Sequence, residues 1–385
     1  MYNIRTLNKI SETGVSLLDK NTYSVADEVN NPDGILVRSA SMHDMELAKD
    51  LKAIGRAGAG VNNIPIQKCS ENGIVVFNTP GANANAVKEL TIAALLLSSR
   101  KIVDGIQWAK SLIGKGKDIP KIVEKGKSDF AGPEIEGKRL GVIGLGAIGV
   151  MVANAAKSLG MEVEGFDPYI SVDAAWGLSR SVKKASDFKS LLENADYITL
   201  HVPLTDETKG LLNADKFALM KKGARLLNFS RGELVNNKDL KEAIESGTVS
   251  TYIADFPDED LLQMENVIAI PHLGASTPES EENCAVMAVS QLKEFLENGN
   301  ITNSVNFPTC EMVRATDYRI TVAHKNVPNM VAQISTVLSK INIANMLNKS
   351  KGNFAYTMLD VESDVPEEMI AQLEQIEGVL RVRVI

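Results

Sequence analysis

The 385-residue sequence holds only three cysteines, Cys69, Cys284 and Cys310. They lie far apart with no CxxC pair, so neither a disulfide framework nor a zinc site is indicated, and no metal is expected. Isolated thiols of this kind read as buried and inert. Basic residues number 41 against 49 acidic ones, and the net charge of −8 argues against non-specific nucleic-acid binding or an anionic surface partner. Long apolar runs are missing too. The densest, at residues 92–97, falls far short of the roughly 20 residues that a bilayer span needs, so no membrane is expected as a partner. The opening MYNIRTLNKI has no apolar signal core, which makes the cytoplasm the expected compartment. There is no tandem repeat and no low-complexity tract.

The length exceeds one ordinary core and implies two or three domains. Up to about residue 85, short apolar runs such as Gly34–Val37 and residues 73–77 alternate with helical patterns such as residues 42–51. That is the rhythm of an α/β fold with a parallel sheet. Glycine and asparagine cluster in residues 55–63 and 78–85, as loops at strand ends do where open α/β sheets hold ligands. A helix is expected over residues 86–101, and the lysine-rich stretch 115–127 reads as a solvated loop. Ser276-Thr277-Pro278-Glu279 reads as a helix start with Ser276 as N-cap. That helix is expected to run to about Glu297, end at Asn298-Gly299 and return the chain to the first region. Past Phe307-Pro308-Thr309, strand and helix patterns at 319–323, 327–340, 343–347, 355–361, 366–376 and 379–385 give the order βαββαβ of a ferredoxin-like domain.

The clearest motif is Gly144-Leu145-Gly146-Ala147-Ile148-Gly149, which follows a short apolar strand and opens a helix. A second strand, residues 161–166, ends at Asp167. Gly144 permits a tight turn, Gly146 lets the backbone approach a pyrophosphate, and Gly149 allows close helix–strand packing. The helix start, with Ala147 and Ile148, offers unpaired N–H groups to an anion. Asp167 can accept hydrogen bonds from ribose hydroxyls and would repel a 2′-phosphate, so NAD is expected rather than NADP.

Three further segments, taken in order, narrow the class. Asn228-Phe229-Ser230-Arg231-Gly232, Phe256-Pro257-Asp258-Glu259 and Pro271-His272-Leu273-Gly274-Ala275-Ser276 resemble the signature set of the D-isomer-specific 2-hydroxyacid dehydrogenases. His201-Val202-Pro203-Leu204-Thr205 is similar to that family's nicotinamide loop. With the glycine motif, the likeness covers residues from about 35 to 305.

The chemistry requires a cation to hold the substrate carboxylate, a base for the hydroxyl proton, and a carboxylate to orient that base. The family pattern implies Arg231, His272 and Glu259 in these roles. It also implies that His201, Val202, Pro203, Thr208, Phe229, Ser230, Asp255, Gly274 and Ala275 meet the cofactor. The family's usual aspartate, five residues before the glutamate, is Ala254 here. Either Asp255 takes over that contact to the nicotinamide amide or the contact is lost.

The resemblance implies a doubly wound Rossmann-type NAD domain (91–282) inserted into a flavodoxin-like substrate domain (1–90 and 283–307). A ferredoxin-like domain similar to ACT modules (315–385) follows. Arg38, Ser39, Arg56 and Asn62 match positions that hold a phosphorylated substrate, which implies 3-phosphoglycerate. His324, Asn326 and Asn342 match ligand positions of the ACT module, where serine is a candidate effector. Asn329 stands where that turn usually has glycine, and asparagine tolerates a positive φ. A homodimer or homotetramer is expected. A glycerate or hydroxypyruvate dehydrogenase and an NADH-responsive regulatory protein remain as alternatives.

Overall fold

In Gly34–Val37 every residue is buried, as in a parallel strand covered on both faces. In a computed structural model that describes all 385 residues, this strand is the middle of a five-stranded parallel sheet. The order is Tyr23–Ala26, Tyr2–Thr6, Gly34–Val37, Ala53–Arg56, Val75–Phe77. Alternation divides its side chains between two cores. Ile35, Val37, Ile54 and Val76 join Met42, Leu51, Ile64 and Cys69 on one face. Leu36, Ala53, Val75 and Phe77 meet the helix Pro278–Asn298 on the other, through Cys284, Ala288, Val289, Leu292 and Phe295. That helical spacing is a single apolar stripe. No side chain fits at Gly14, where a Cβ would lie 2.6 Å from the Ala285 carbonyl carbon.

The chain divides into two compact units, Met1–Asn83 with Pro278–Ile385, and Ala84–Thr277. The C-terminal βαββαβ segment therefore falls in the first unit. Its antiparallel sheet has the order Ile343–Lys351, Phe354–Val361, Tyr318–Lys325, Val379–Val384. The helices Met330–Val337 and Glu367–Glu374 accompany one core, with Ile320, Val322, Leu359 and Val382. Ala323, Tyr356 and Met358 instead share the core of Phe295, Ile301 and Cys310. Arg319 Nε and Nη2 donate to Asp360 at 2.6 and 3.0 Å, both side chains fully buried, and Nη1 donates to Asn298 O at 2.9 Å. Arg383 lies over the Phe295 ring and donates to Phe295 O and Leu296 O. Tyr356 Oη donates to Gly299 O. The C-terminal end of Pro278–Asn298 thus receives side-chain donors from this segment.

The second unit has a seven-stranded parallel sheet, ordered Val267–Ala269, Val249–Ala254, Ala224–Asn228, Tyr197–Leu200, Arg139–Ile143, Glu162–Phe166, Lys183–Lys184. Chain order reverses between Arg139–Ile143 and Tyr197–Leu200, a topological switch point, where such sheets bind ligands.

Three expectations of local structure fail, the first being Ser276 as N-cap, since the helix starts two residues on at Pro278 and the Ser276 hydroxyl donates to His272 O. Residues 42–51 form turns rather than a helix, with Met42 N donating to Asn63 O, while Met42 and Leu51 still bury themselves in the core. Tertiary burial outweighs helical spacing there. The stretch 115–127 is not a loop, since Ile119–Gly126 is a helix with proline in its first turn.

Burial pushes the Asp360 carboxyl up, but the hydrogen bonds from Arg319 and Ala315 N–H outweigh it and hold it below the usual range. The pair's contribution is present above an unfolded value of about 3.9 and is lost as pH falls through the folded value. Arg319→Met, which strands the carboxylate, is expected to cost about 3–5 kcal/mol in urea unfolding at pH 7. Arg319→Met with Asp360→Leu should recover part of that loss, and equal losses in the single and double variants would contradict it.

Candidate active site

The register of the second sheet sets out the site. Phe166, Ile143, Leu200, Asn228, Ala254 and Ala269 are consecutive cross-strand partners. They mark the carboxyl edge of six strands. One residue further along their chains stand Asp167, Gly144, His201, Phe229, Asp255 and Ile270, and Arg231 and His272 follow within two more. Gly144, Asp167, His201, Phe229, Arg231, Asp255 and His272 thus share one edge.

Gly144 has φ +90, and a Cβ there would lie 2.5 Å from His201 O. A Cβ on Gly149 would lie 2.0 Å from Gly144 O. A Cβ on Gly146 would meet nothing within 4 Å, so no internal packing demands this glycine. The open space lies at the start of the helix Ala147–Ser158, whose first N–H groups point outward. Asp167 accepts from Leu145 N–H and Tyr169 N–H, both at 2.8 Å, which fixes its carboxylate beside the glycine turn. The residues fit a dinucleotide.

His201 Nε2 bonds to Thr199 Oγ1 at 3.0 Å, while Nδ1 is buried without a partner. Burial lowers the His201 pKa to about 3, so the ring stays neutral and takes up a proton poorly. Val202 and Pro203 follow in the same loop. Thr208 donates to Pro203 O at 2.6 Å and accepts from Thr205 N–H, so its hydroxyl shapes that loop rather than waiting for a ligand. Phe229 is buried in the core, and Ser230 Oγ donates to Leu200 O. Asn228 Nδ2 donates to Arg231 O at 2.8 Å and also contacts Tyr252 Oη, pinning the backbone that carries the arginine. The Arg231 side chain is exposed and spends one bond, from Nη1, on Ser230 O.

His272 is exposed and sits at φ +53, with its N–H donating to Ile270 O and Asp255 O. Its ring meets the Phe256 ring edge-on at 5.0 Å. A Cβ on Gly232 would come within 3.3 Å of Phe256 Cβ, so Phe256 links the Arg231 loop to the imidazole. Glu259 opens a short helix, is exposed and accepts from Gln263 Nε2 at 2.8 Å. No hydrogen bond joins it to His272.

The carboxylate on the His272 loop is Asp255, which is 1% exposed and accepts from Leu273 N–H at 2.7 Å and Gly274 N–H at 2.8 Å. Ala275 follows in the same turn. Burial pushes the Asp255 carboxyl up against the pull of these N–H groups. Its stabilising share is therefore full in acid and fades as pH rises through the folded value.

In the first unit, Val37 and Arg56 are partners at the carboxyl edge. Arg38 Nη2 pairs with Glu281 Oε1 at 2.7 Å, both half-exposed. The Arg56 guanidinium lies against Gly58, where a Cβ would fall 1.8 Å from Nη1. Gly58, within the glycine cluster of the sequence, leaves the room that this guanidinium occupies. Ser39 is exposed, and the Asn62 carbonyl bonds to His43 Nε2 at 2.9 Å.

The C-terminal positions diverge. His324 is 2% exposed, and its ring bonds Lys325 O, Thr357 Oγ1 and Asn348 Oδ1, so it supports the turn from within rather than meeting a ligand. Asn326 and Asn342 are exposed and bond to Gly352 O and Glu362. Asn329 adopts φ +69, the turn conformation that asparagine was expected to tolerate. No cluster of three or more His, Cys, Asp or Glu is arranged to hold a metal ion.

Residues 92–274 match the family model described as D-isomer specific 2-hydroxyacid dehydrogenase, NAD binding domain. The chain is 37% identical over 315 residues to the D-3-phosphoglycerate dehydrogenase of Methanocaldococcus jannaschii, covering 79% of this chain and 57% of that one. It is 31% identical to the D-3-phosphoglycerate dehydrogenase of Dictyostelium discoideum, covering 88% of this chain and 82% of that one. Among solved structures, the NAD+-bound 3-phosphoglycerate dehydrogenase of Entamoeba histolytica superposes with a TM-score of 0.62 at 26% identity, over 79% of this chain and 98% of that one. The chain belongs to the D-isomer specific 2-hydroxyacid dehydrogenases, and the edge just described lies in their NAD-binding domain. It spans 57–59% of the length of its first archaeal and bacterial relatives.

Asp255→Asn turns an amide N–H₂ toward one of two backbone N–H donors. Amide exchange at Leu273 and Gly274 is expected to speed up about tenfold. Unchanged exchange would remove Asp255 as the staple of the His272 turn.

Proposed function

We propose that the protein oxidises 3-phospho-D-glycerate to 3-phosphohydroxypyruvate with NAD+, as the first step of serine biosynthesis. The observation that carries this reading is the shared carboxyl edge that holds the glycine turn, Asp167, Arg231 and His272. The named D-3-phosphoglycerate dehydrogenase relatives support the choice of substrate. NAD+, when bound, supplies the acceptor for the hydride from C2. His272 takes the proton of the C2 hydroxyl, so substrate loses one hydride and one proton. Arg231, with no ion pair of its own, holds the carboxylate and polarises the C2 oxygen. Glu259 is the carboxylate assigned to orient His272, and Asp255 orders the His272 loop. Arg38, Ser39, Arg56 and Asn62 are the proposed holders of the substrate's phosphate and carboxylate, and Arg38 gives up Glu281 to do so.

The C-terminal segment is proposed to be an ACT module that takes serine through Asn326 and Asn342, with His324 supporting the turn. A cytoplasmic homodimer or homotetramer completes the proposal.

The test is NADH formation from 3-phosphoglycerate and NAD+ with the keto product trapped. A rate at background, or preference for unphosphorylated glycerate, rejects the reading. His272→Ala is expected to lower kcat by about 10²–10⁴-fold while NADH binds as before. Near-normal turnover in that variant would remove His272 as the base.

A further inference from the structure

We propose that Asn8 and Asn63 are positioning residues that clamp the loop bearing Arg38 and Ser39, and through it set the affinity for the substrate's anionic end. The inference deepens the substrate reading above and rests on it. The loop leaves the strand Gly34–Val37 with three consecutive backbone N–H groups directed at one atom. Arg38, Ser39 and Ala40 all donate to Asn8 Oδ1, at 3.1, 3.0 and 3.0 Å. Successive amides that converge in this way form a nest of the kind that binds anions. Here a neutral amide oxygen fills the nest and fixes its shape.

The opposite edge of the same loop is held by Asn63. Its Nδ2 donates to Ala40 O at 2.8 Å and to Arg38 O at 3.4 Å, and its own carbonyl accepts from Met42 N–H at 2.8 Å. Asn63 Oδ1 is buried without a partner, so the donor end of this amide is the end in use. The backbone of Arg38 is thus gripped on its N–H side by one asparagine and on its C=O side by the other. Only the guanidinium is left to move, between Glu281 and a ligand.

The two grips are chemically opposite, which makes them separable. Asn8 serves as an acceptor, and a carboxylate accepts at least as well. Asn63 serves as a donor, and a carboxylate there would set oxygen against two carbonyl oxygens. The same isosteric exchange therefore keeps the hydrogen bonds at one position and breaks them at the other, while adding the same charge at both.

The experiment uses the full-length enzyme and four readouts: KM for 3-phosphoglycerate, kcat, NADH affinity by fluorescence, and amide exchange at residues 38–40. Asn8→Ala and Asn63→Asp are expected to raise KM by about tenfold with a smaller change in kcat and NADH affinity intact, while Asn8→Asp, which keeps the bonds but adds a charge, raises KM less than either. Exchange at residues 38–40 should quicken in Asn8→Ala and not in Asn8→Asp. If Asn8→Ala does not fold, the contrast between Asn8→Asp and Asn63→Asp decides. Equal KM values in that pair, or an Asn8→Asp variant as damaged as Asn8→Ala, overturn the proposal. Should the parent enzyme turn over no phosphoglycerate while exchange responds as stated, the substrate reading falls and the clamp stands. An active parent whose residues 38–40 exchange identically in Asn8→Ala leaves the substrate reading standing without the clamp.

Discussion

Parallel strands all end on the same side, and hydrogen-bond register holds those ends level. In the second unit this one constraint brings residues 144, 167, 201, 231, 255 and 272 together from across the chain. Each lies within three positions of the last paired residue of its strand. The backbone there is released from the ladder, so a glycine turn, a strained histidine and an exposed arginine are tolerated without breaking the sheet. Ala254 is still paired and buried, and Asp255 is the first residue free of the strand. That single step explains its use. Its carboxylate reaches the N–H groups of the neighbouring turn and holds the backbone that keeps His272 at positive φ.

The first unit meets a different demand, the joining of an antiparallel sheet to a parallel one. Helix Pro278–Asn298 serves both, since its apolar stripe covers the parallel sheet and its last carbonyls receive Arg319, Arg383 and Tyr356. Positive groups at a helix C-terminus also suit the macrodipole. Arg319 is neutralised at the same time by Asp360, so this arginine leaves no uncompensated charge inside. A buried pair of this kind adds little net stability but penalises any arrangement that separates its members. The shared core of Phe295, Ile301, Tyr356 and Met358 then fills the join.

The glycine turn, its following helix, Asp167 and the βαββαβ order were legible because local spacing encodes them. The long helix ending at Gly299 was legible for the same reason, as its apolar stripe and its positive-φ stop both lie in the sequence. What could not be read depends on partners far along the chain. Thr208 looked available until its hydroxyl proved to be spent on Pro203. His324 looked like a ligand until the sheet closed over it. Glu259 carried the family spacing, yet a neighbouring glutamine takes its carboxylate and the buried Asp255 faces the His272 turn. Asn8 and Asn63 are ordinary polar residues in sequence, and only contacts across some 20 to 30 positions give them a task. Residues 42–51 misled in the other direction, since helical spacing of apolar residues can also arise where a coil pins two anchors, Met42 and Leu51, in a core.

The three thiols lie in the two cores that flank the first parallel sheet, Cys69 on one face and Cys284 and Cys310 on the other. Burial pushes Cys69 up to about 12 and Cys310 up to about 11. Thiolate, the species that peroxide and alkylating agents attack, is therefore scarce at both at neutral pH. At Cys69 and Cys310 the fold deprives the sulfur of charge as well as of access. Modification of these cysteines would report that the packing around the first sheet had come apart.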